Sequence, residues 1–385
     1  MKRKLIQISI LCLVLTGTPI FAQELVQDAV VIEKAQVLEV KNQEERTIPG
    51  ADIKSTFQTI VVEIIEGVNA GKIVTVENDY LKLEKGEVFY LRHITNALDK
   101  SETYSVADPD RMPTVYVFIG LFILSVLAFG GKQGARGLVA LAASFVFIIY
   151  LLLPSVLNGF SPVLVSMGVS SLIIILGSYI THGFNRSTSS AVIGMVITII
   201  FTGILAYASI HFGRLSGFAT EEAVYLNLNT KGTIDFAGLL LGGMLIGLLG
   251  VLYDAAIGQA VTVDELRQVG PHLTRSIIFR RALRVGREHI GALVNTLAIA
   301  YVGASLPLLL LLYNSGVGTQ VLVNQEIFAT EILRAMVGSI GLIITVPITT
   351  LIAVLMLVKK PDISTVNPAI IEHEKESIKH HGHKH

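Results

Sequence analysis

Asp254 stands in LIGLLGVLYDAAIGQAVTVDEL, residues 245–266, a stretch that begins as unbroken apolar sequence and ends as a charged helix. A carboxylate in such surroundings can take up and release a proton or hold a cation, because partial burial brings its neutral and charged forms closer in energy. If a span begins at Phe236, about twenty residues carry it to Ala255. Asp254 then lies near one end of the span, where water reaches it and the cost is far below that of a midplane charge. Asn295 and Thr296 lie roughly one to two turns into the next span, entering from the same side. An amide and a carboxylate at matched depth can satisfy each other across a helix pair, and Arg287 and Glu288, a little nearer the water, could extend that network. Two plainer roles stay open: an interfacial residue for Asp254, and a single interhelical hydrogen bond for Asn295.

Other chemistry is sparse. The chain ends KHHGHKH, and His380, His381, His383 and His385 have a spacing that can bind transition metals weakly. No cysteine or carboxylate cluster beside them would define a structural zinc site. There is no P-loop lysine, GxSxG elbow or HExxH helix. An intramembrane hydrolase built on Asp254 would need a second carboxylate at its depth, and no other span interior supplies one. Neither an enzyme nor a cofactor is expected.

The elements that must hold these residues are set by composition. The 385 residues are 52% hydrophobic and only 16% charged, with mean hydropathy +0.64, against about a quarter charged in soluble chains. The formal net charge of zero gives no global support for a nucleic-acid partner. The one cysteine, Cys12, sits in a segment with Lys2, Arg3 and Lys4 before a short apolar run and Ala22 at a cleavage position, so residues 1–22 read as a signal segment, with an uncleaved anchor as the alternative. Residues 23–112 carry seventeen Asp or Glu against ten Lys or Arg and no run long enough to span. VVIEKAQVLEV, FQTIVVEIIEG, GKIVTVEND and GEVFYLRHI read as strands of a small exported β domain, an OB-like barrel being the expected form.

From Pro113 onward the expected architecture is an α-helical polytopic membrane protein of about seven spans, at 113–131, 137–157, 163–182, 190–212, 236–257, 290–313 and 332–357. With the acidic domain outside, Lys132, Arg136, Arg186, five arginines within 274–289, and Lys359 and Lys360 all fall inside. The positive-inside rule is obeyed throughout, which places the protein in the plasma membrane with a cytosolic His-rich tail at 358–385. Gly243 and Gly247 make a GxxxG face, read as packing within the bundle, with a homo-oligomer interface as the alternative. The cytosolic basic loop 258–289, divided at Pro271, mixes apolar residues with arginines and reads as a helix on anionic inner-leaflet lipid, or else as a gate or docking surface.

GVLYDAAIGQAVTVDELR followed by VGREHIGALVNTLAIAYVGASLPLLLLLY resembles the YibE/F family of bacterial membrane proteins. Asp254, Glu265, Arg287 and Asn295 fall on the positions that carry this resemblance, and Glu288 stands where the family often has aspartate. The resemblance extends over the β domain and all the spans, and its most specific part is about fifty residues long. It implies a multi-pass permease-type protein and leaves the substrate open. The expectation is therefore a secondary transporter or transporter component. Asp254, Asn295 and Thr296 would form its ion, proton or substrate site, and Arg287, Glu288 and Glu265 its gating network. The alternative is a non-transporting scaffold whose exported domain binds an envelope protein.

Overall fold

The computed structural model describes residues 28–47 and 54–359, which form two compact units dividing between Leu121 and Phe122. The expected signal segment, residues 1–22, and the terminal histidines lie outside the described residues.

In the first unit, β1 (Ala29–Thr47), β2 (Lys54–Glu66), β3 (Ile73–Asn78), β4 (Val88–Thr95) and β5 (Glu102–Pro109) pair antiparallel in the order β3-β2-β1-β4-β5. Burial alternates with period two, as a half-buried sheet requires. Ala35 and Val37 on β1, Ile60, Val62 and Ile64 on β2, and Phe89 and Leu91 on β4 meet in one core. Three register shifts along β1 coil the strand, so it can serve both halves of the sheet. The edges approach one another where Lys72, just before β3, reaches Glu102 on β5 at 2.8 Å, which makes the sheet a half-barrel. β5 is absent from the strands expected from sequence. It is a polar edge strand ending in Pro109, and edge strands lack the apolar alternation that betrays central ones.

The second unit is helical. α1 (Met112–Phe147) leads through a π-helical turn at Ile148–Leu152 into α2 (Leu153–Leu157). Next come α3 (Pro162–His182), α4 (Arg186–Gly213), α5 (Glu221–Asn229), α6 (Phe236–Val269), α7 (Arg275–Ala304), α8 (Leu306–Asn314), α9 (Thr319–Val323) and α10 (Glu326–Leu357). Five of the helical runs are long and apolar enough to cross a membrane, or six if α7 and α8, bent by 65° at their junction, count as one broken span. Pro307 explains that break, since its ring cannot continue the helix before it. The first long run is itself interrupted at Gly131, whose φ of 52° and ψ of −136° suit only glycine. Beyond it the chain returns on itself: Gly134 packs so closely on the Val126 carbonyl that a methyl group there would overlap it.

Capping starts several helices where the sequence demands. The side chains of Asn185, Thr220 and Asp235 accept from the backbone N–H of Thr188, Ala223 and Gly238. The core gathers Met195 and Ile199 of α4, Leu248 and Leu252 of α6, Ile278 of α7 and Val354 of α10. α4 and α10 approach most closely through small residues, Gly194 resting on Thr349 and Gly341 on Thr202. Thr198 and Thr345 each donate to the carbonyl four residues back, which satisfies their hydroxyls inside an apolar bundle.

The basic segment differs from its expectation. Residues 258–269 complete α6, and from Arg275 onward the chain is the first half of α7, continuous with the stretch expected as the sixth span. Ile277 and Ile278 are buried in the bundle core rather than turned to a bilayer. The Arg275 guanidinium donates to the carbonyls of Val358 and Leu355, capping the end of α10. Periodicity showed an apolar stripe, and the stripe's partner is protein.

Candidate functional site

α6 packs Leu241, Leu245, Leu248, Leu252, Ala256 and Gln259 into the bundle. Its opposite face carries Gly243, Gly247, Gly250 and Asp254, all exposed, then half-buried Gly258. Those spacings of three and four residues place them on one side of the helix. Asp254 makes no hydrogen bond or ion pair among the described residues, so it is an uncompensated carboxylate on a glycine track. Towards the start of the helix, Gly243 opens into a cavity of 300 Å³ that Phe236 and Leu239 share with Thr220, Thr330, Glu331 and Arg334. From Gly243 to Asp254 the helix rises about 16 Å.

At the far end of the track, Glu331 and Arg334 sit one turn apart on α10 and pair at 3.3 Å, each about 30% exposed. Arg334 Nε and Thr330 Oγ1 are buried without partners, which leaves donor capacity beside the cavity. Midway, the Tyr301 hydroxyl of α7 stands 3.4 Å from where a methyl on Gly247 would project. Tyr301 also lies in the field of Arg334 and Glu331. Polar groups thus occur along the track from the Glu331–Arg334 pair to Asp254. Sequence reasoning missed this pair because the seventh span was expected to start at residue 332, whereas α10 begins at Glu326 and makes the two residues neighbours on one helix.

The remaining expected residues are placed apart from Asp254. Asn295 and Thr296 are exposed on α7, while Leu293, Val294 and Leu297 pack inward. The Thr296 hydroxyl donates to the Ala292 carbonyl at 2.9 Å. Arg287, Glu288 and Glu265 are exposed, and no hydrogen bond among the described residues joins them or Asn295 to Asp254. Arg280, Arg284 and Arg287 share one exposed face of α7. Gly243 has nothing within 4 Å, so the close approach expected of the GxxxG pair is made on this helix by Gly242 instead, against Ser166 of α3.

A scan against family models matches residues 118–359 to the YibE/F-like protein family. The chain belongs to the YibE/F family. The match takes in Asp254 and the Glu331–Arg334 pair, and it begins after the last strand. No curated protein and no solved structure matches the chain.

The β unit of this YibE/F protein has its own polar cluster. Glu33 of β1 is buried and accepts from the Asn69 backbone and side chain at 2.8 and 2.9 Å. Burial works to raise its carboxyl, but the Asn69 bonds and nearby His93 outweigh it and hold it below the ordinary range. Gly67 (φ +122°) is required there twice, by its backbone and because a methyl would meet the Glu33 carboxylate at 2.5 Å. His93 stacks on Tyr104 at 4.5 Å, and the Tyr104 hydroxyl donates to Glu102 at 2.7 Å. Hydrogen bonds to Glu102 and Tyr104 lift the Lys72 ammonium above its usual range.

Proposed function

We propose that this YibE/F protein is a secondary transporter, not an enzyme, that moves a small solute with a proton or cation along the glycine face of α6. Asp254 is the group that binds and releases the coupling ion. The Glu331–Arg334 pair receives the solute, offering one charge of each sign. The observation that carries this reading is an unpaired carboxylate on a spanning helix, on the same face as a cavity containing that ion pair. Uncompensated intramembrane charge is costly and marks ion pathways. The break between α7 and α8 supports it too, because discontinuous helices line transporter sites.

Seven spans fit the same reading, with the run before α3 counted as two at Gly131 and α7 with α8 as one. That places the acidic β unit outside and the exposed arginines of α7 inside, where they face anionic lipid. The β3-β2-β1-β4-β5 order and the Lys72–Glu102 bridge between its edges support an OB-like barrel. An envelope partner for it is the second reading, favoured by the far end of the β1–β2 hairpin, where residues 42–47 are exposed and pair with β2 alone.

The test is flux in vesicles carrying an internal pH dye, with wild type and Asp254→Asn compared at matched thermal stability. A stable Asn variant that has lost the proton or cation flux seen in the wild type supports coupling at Asp254. A stable variant with undiminished flux removes Asp254 from the mechanism, and a wild type without flux returns the protein to the scaffold reading.

A further inference from the structure

A second cavity, of 380 Å³, lies between the later part of α1, α3 and α6, and its walls include Ile174 and Leu249 of the bundle core. Its volume falls within the 300–1,000 Å³ or so usual for ligand sites. Ala140, Phe145, Ile173 and Leu249 make its walls apolar, and Thr181 and Tyr253 mark its polar end. Three glycines hold it open: nothing stands within 4 Å of a methyl at Gly137 or Gly250, and at Gly177 only the Ala140 Cβ comes near, at 3.9 Å. The Tyr253 hydroxyl is buried beside Ser178 and Thr181 but makes no hydrogen bond of good geometry with either. A buried hydroxyl left so is a donor waiting for an acceptor.

Two cations flank this end. Arg136 precedes Gly137 and lies one turn before Ala140, and Lys132 lies one turn before Arg136. Both are exposed, and neither has an ion-pair partner among the described residues. Between them in sequence, Gln133 bonds to His182 at 3.2 Å, fixing the start of the lining segment to the end of α3. The cations and the free hydroxyl therefore belong to the same end of an apolar slot.

We propose that this slot is a lipid site: it holds one acyl chain of an anionic phospholipid, whose phosphate sits against Lys132 and Arg136 and whose ester oxygens accept from Tyr253. An apolar slot alone would suit a helix of a second copy equally well. The paired cations and the orphaned donor favour an amphiphile with a negative head, since basic pockets between spanning helices bind such headgroups. The assignment is independent of the transport reading, because none of its residues lies on the glycine track except Gly250, which borders both.

Native mass spectrometry of the full-length protein, released from vesicles of phosphatidylglycerol and phosphatidylcholine, tests it. The wild type should retain one phosphatidylglycerol per protomer. Gly177→Leu and Gly250→Leu fill the slot from two walls, and each should lose the retained lipid while its melting temperature holds. Lys132→Gln with Arg136→Gln, both on exposed positions, should keep a bound chain and lose the preference for phosphatidylglycerol. A wild type that emerges bare overturns the proposal, as does lipid retained in both filled variants. Retention whose headgroup preference is unchanged without the two cations also overturns it. A Phe145→Cys disulfide joining two copies would assign the slot to a second copy instead.

Discussion

Arg334 and Glu331 share one helix and one cavity but serve different terms of the energy. As a partly exposed pair they contribute little to stability, on the order of 0–1 kcal/mol, so Arg334→Gln should leave the melting temperature nearly unchanged. The same substitution removes the positive charge beside the cavity, and flux should fall well before stability does. Equal losses of both would make the pair structural. Glu33 reports on the other unit. Its carboxyl ionises below its ordinary value of 4.5, so its contribution is complete above that pH and disappears as the pH falls through the lowered folded value. Glu33→Ala, which leaves the Asn69 donors unanswered, should cost about 1–3 kcal/mol at neutral pH. Thermal melts of wild type and variant followed by the β-sheet signal should therefore converge as the solution is acidified. Parallel curves at every pH would show that Asn69 finds no support from the ionised form.

The helices make their closest contacts where side chains are smallest. At Gly341 a methyl would meet Thr202 Oγ1 at 2.5 Å and Leu248 Cδ2 at 3.1 Å. Gly341→Ala should overpack the α4–α10 seam by about 1–3 kcal/mol, and Thr202→Ala should recover part of the loss in a double-mutant cycle. Strict additivity would mean that the two helices part rather than clash. Most of the long apolar helices could be read from the sequence because about twenty apolar residues in a row have few other uses. Asp254 was equally visible against that background. The Glu331–Arg334 pair was not, since a charged residue at the margin of an apolar run looks like loop until the helix start is known. α7 shows the limit of periodicity in another way: Ile277 and Ile278 mark an apolar stripe, but a stripe cannot say whether lipid or protein covers it. β5 had too little apolar alternation to show itself at all.

Across the whole molecule, exposed positions on two helices of the second unit can report the orientation of the chain in the membrane. Leu228 on α5 is 68% exposed, and Arg284 on α7 is exposed as well. In intact cells a membrane-impermeant thiol reagent should label Leu228→Cys, whereas Arg284→Cys should react only after permeabilisation. The reverse pattern would invert the topology and put Asp254 near the outer surface. One arrangement also bears on how the protein is made. α10, the last helix among the described residues, is the shared neighbour of α4, α6 and α7. At roughly 5–20 residues per second, it leaves the ribosome on the order of ten seconds after α4. During that interval the groove of Gly194, Thr198 and Thr202 has no α10 to receive it and faces lipid or an insertion factor. The bundle is thus closed by a segment made late, and a chain stopped short of Glu326 would keep that groove open.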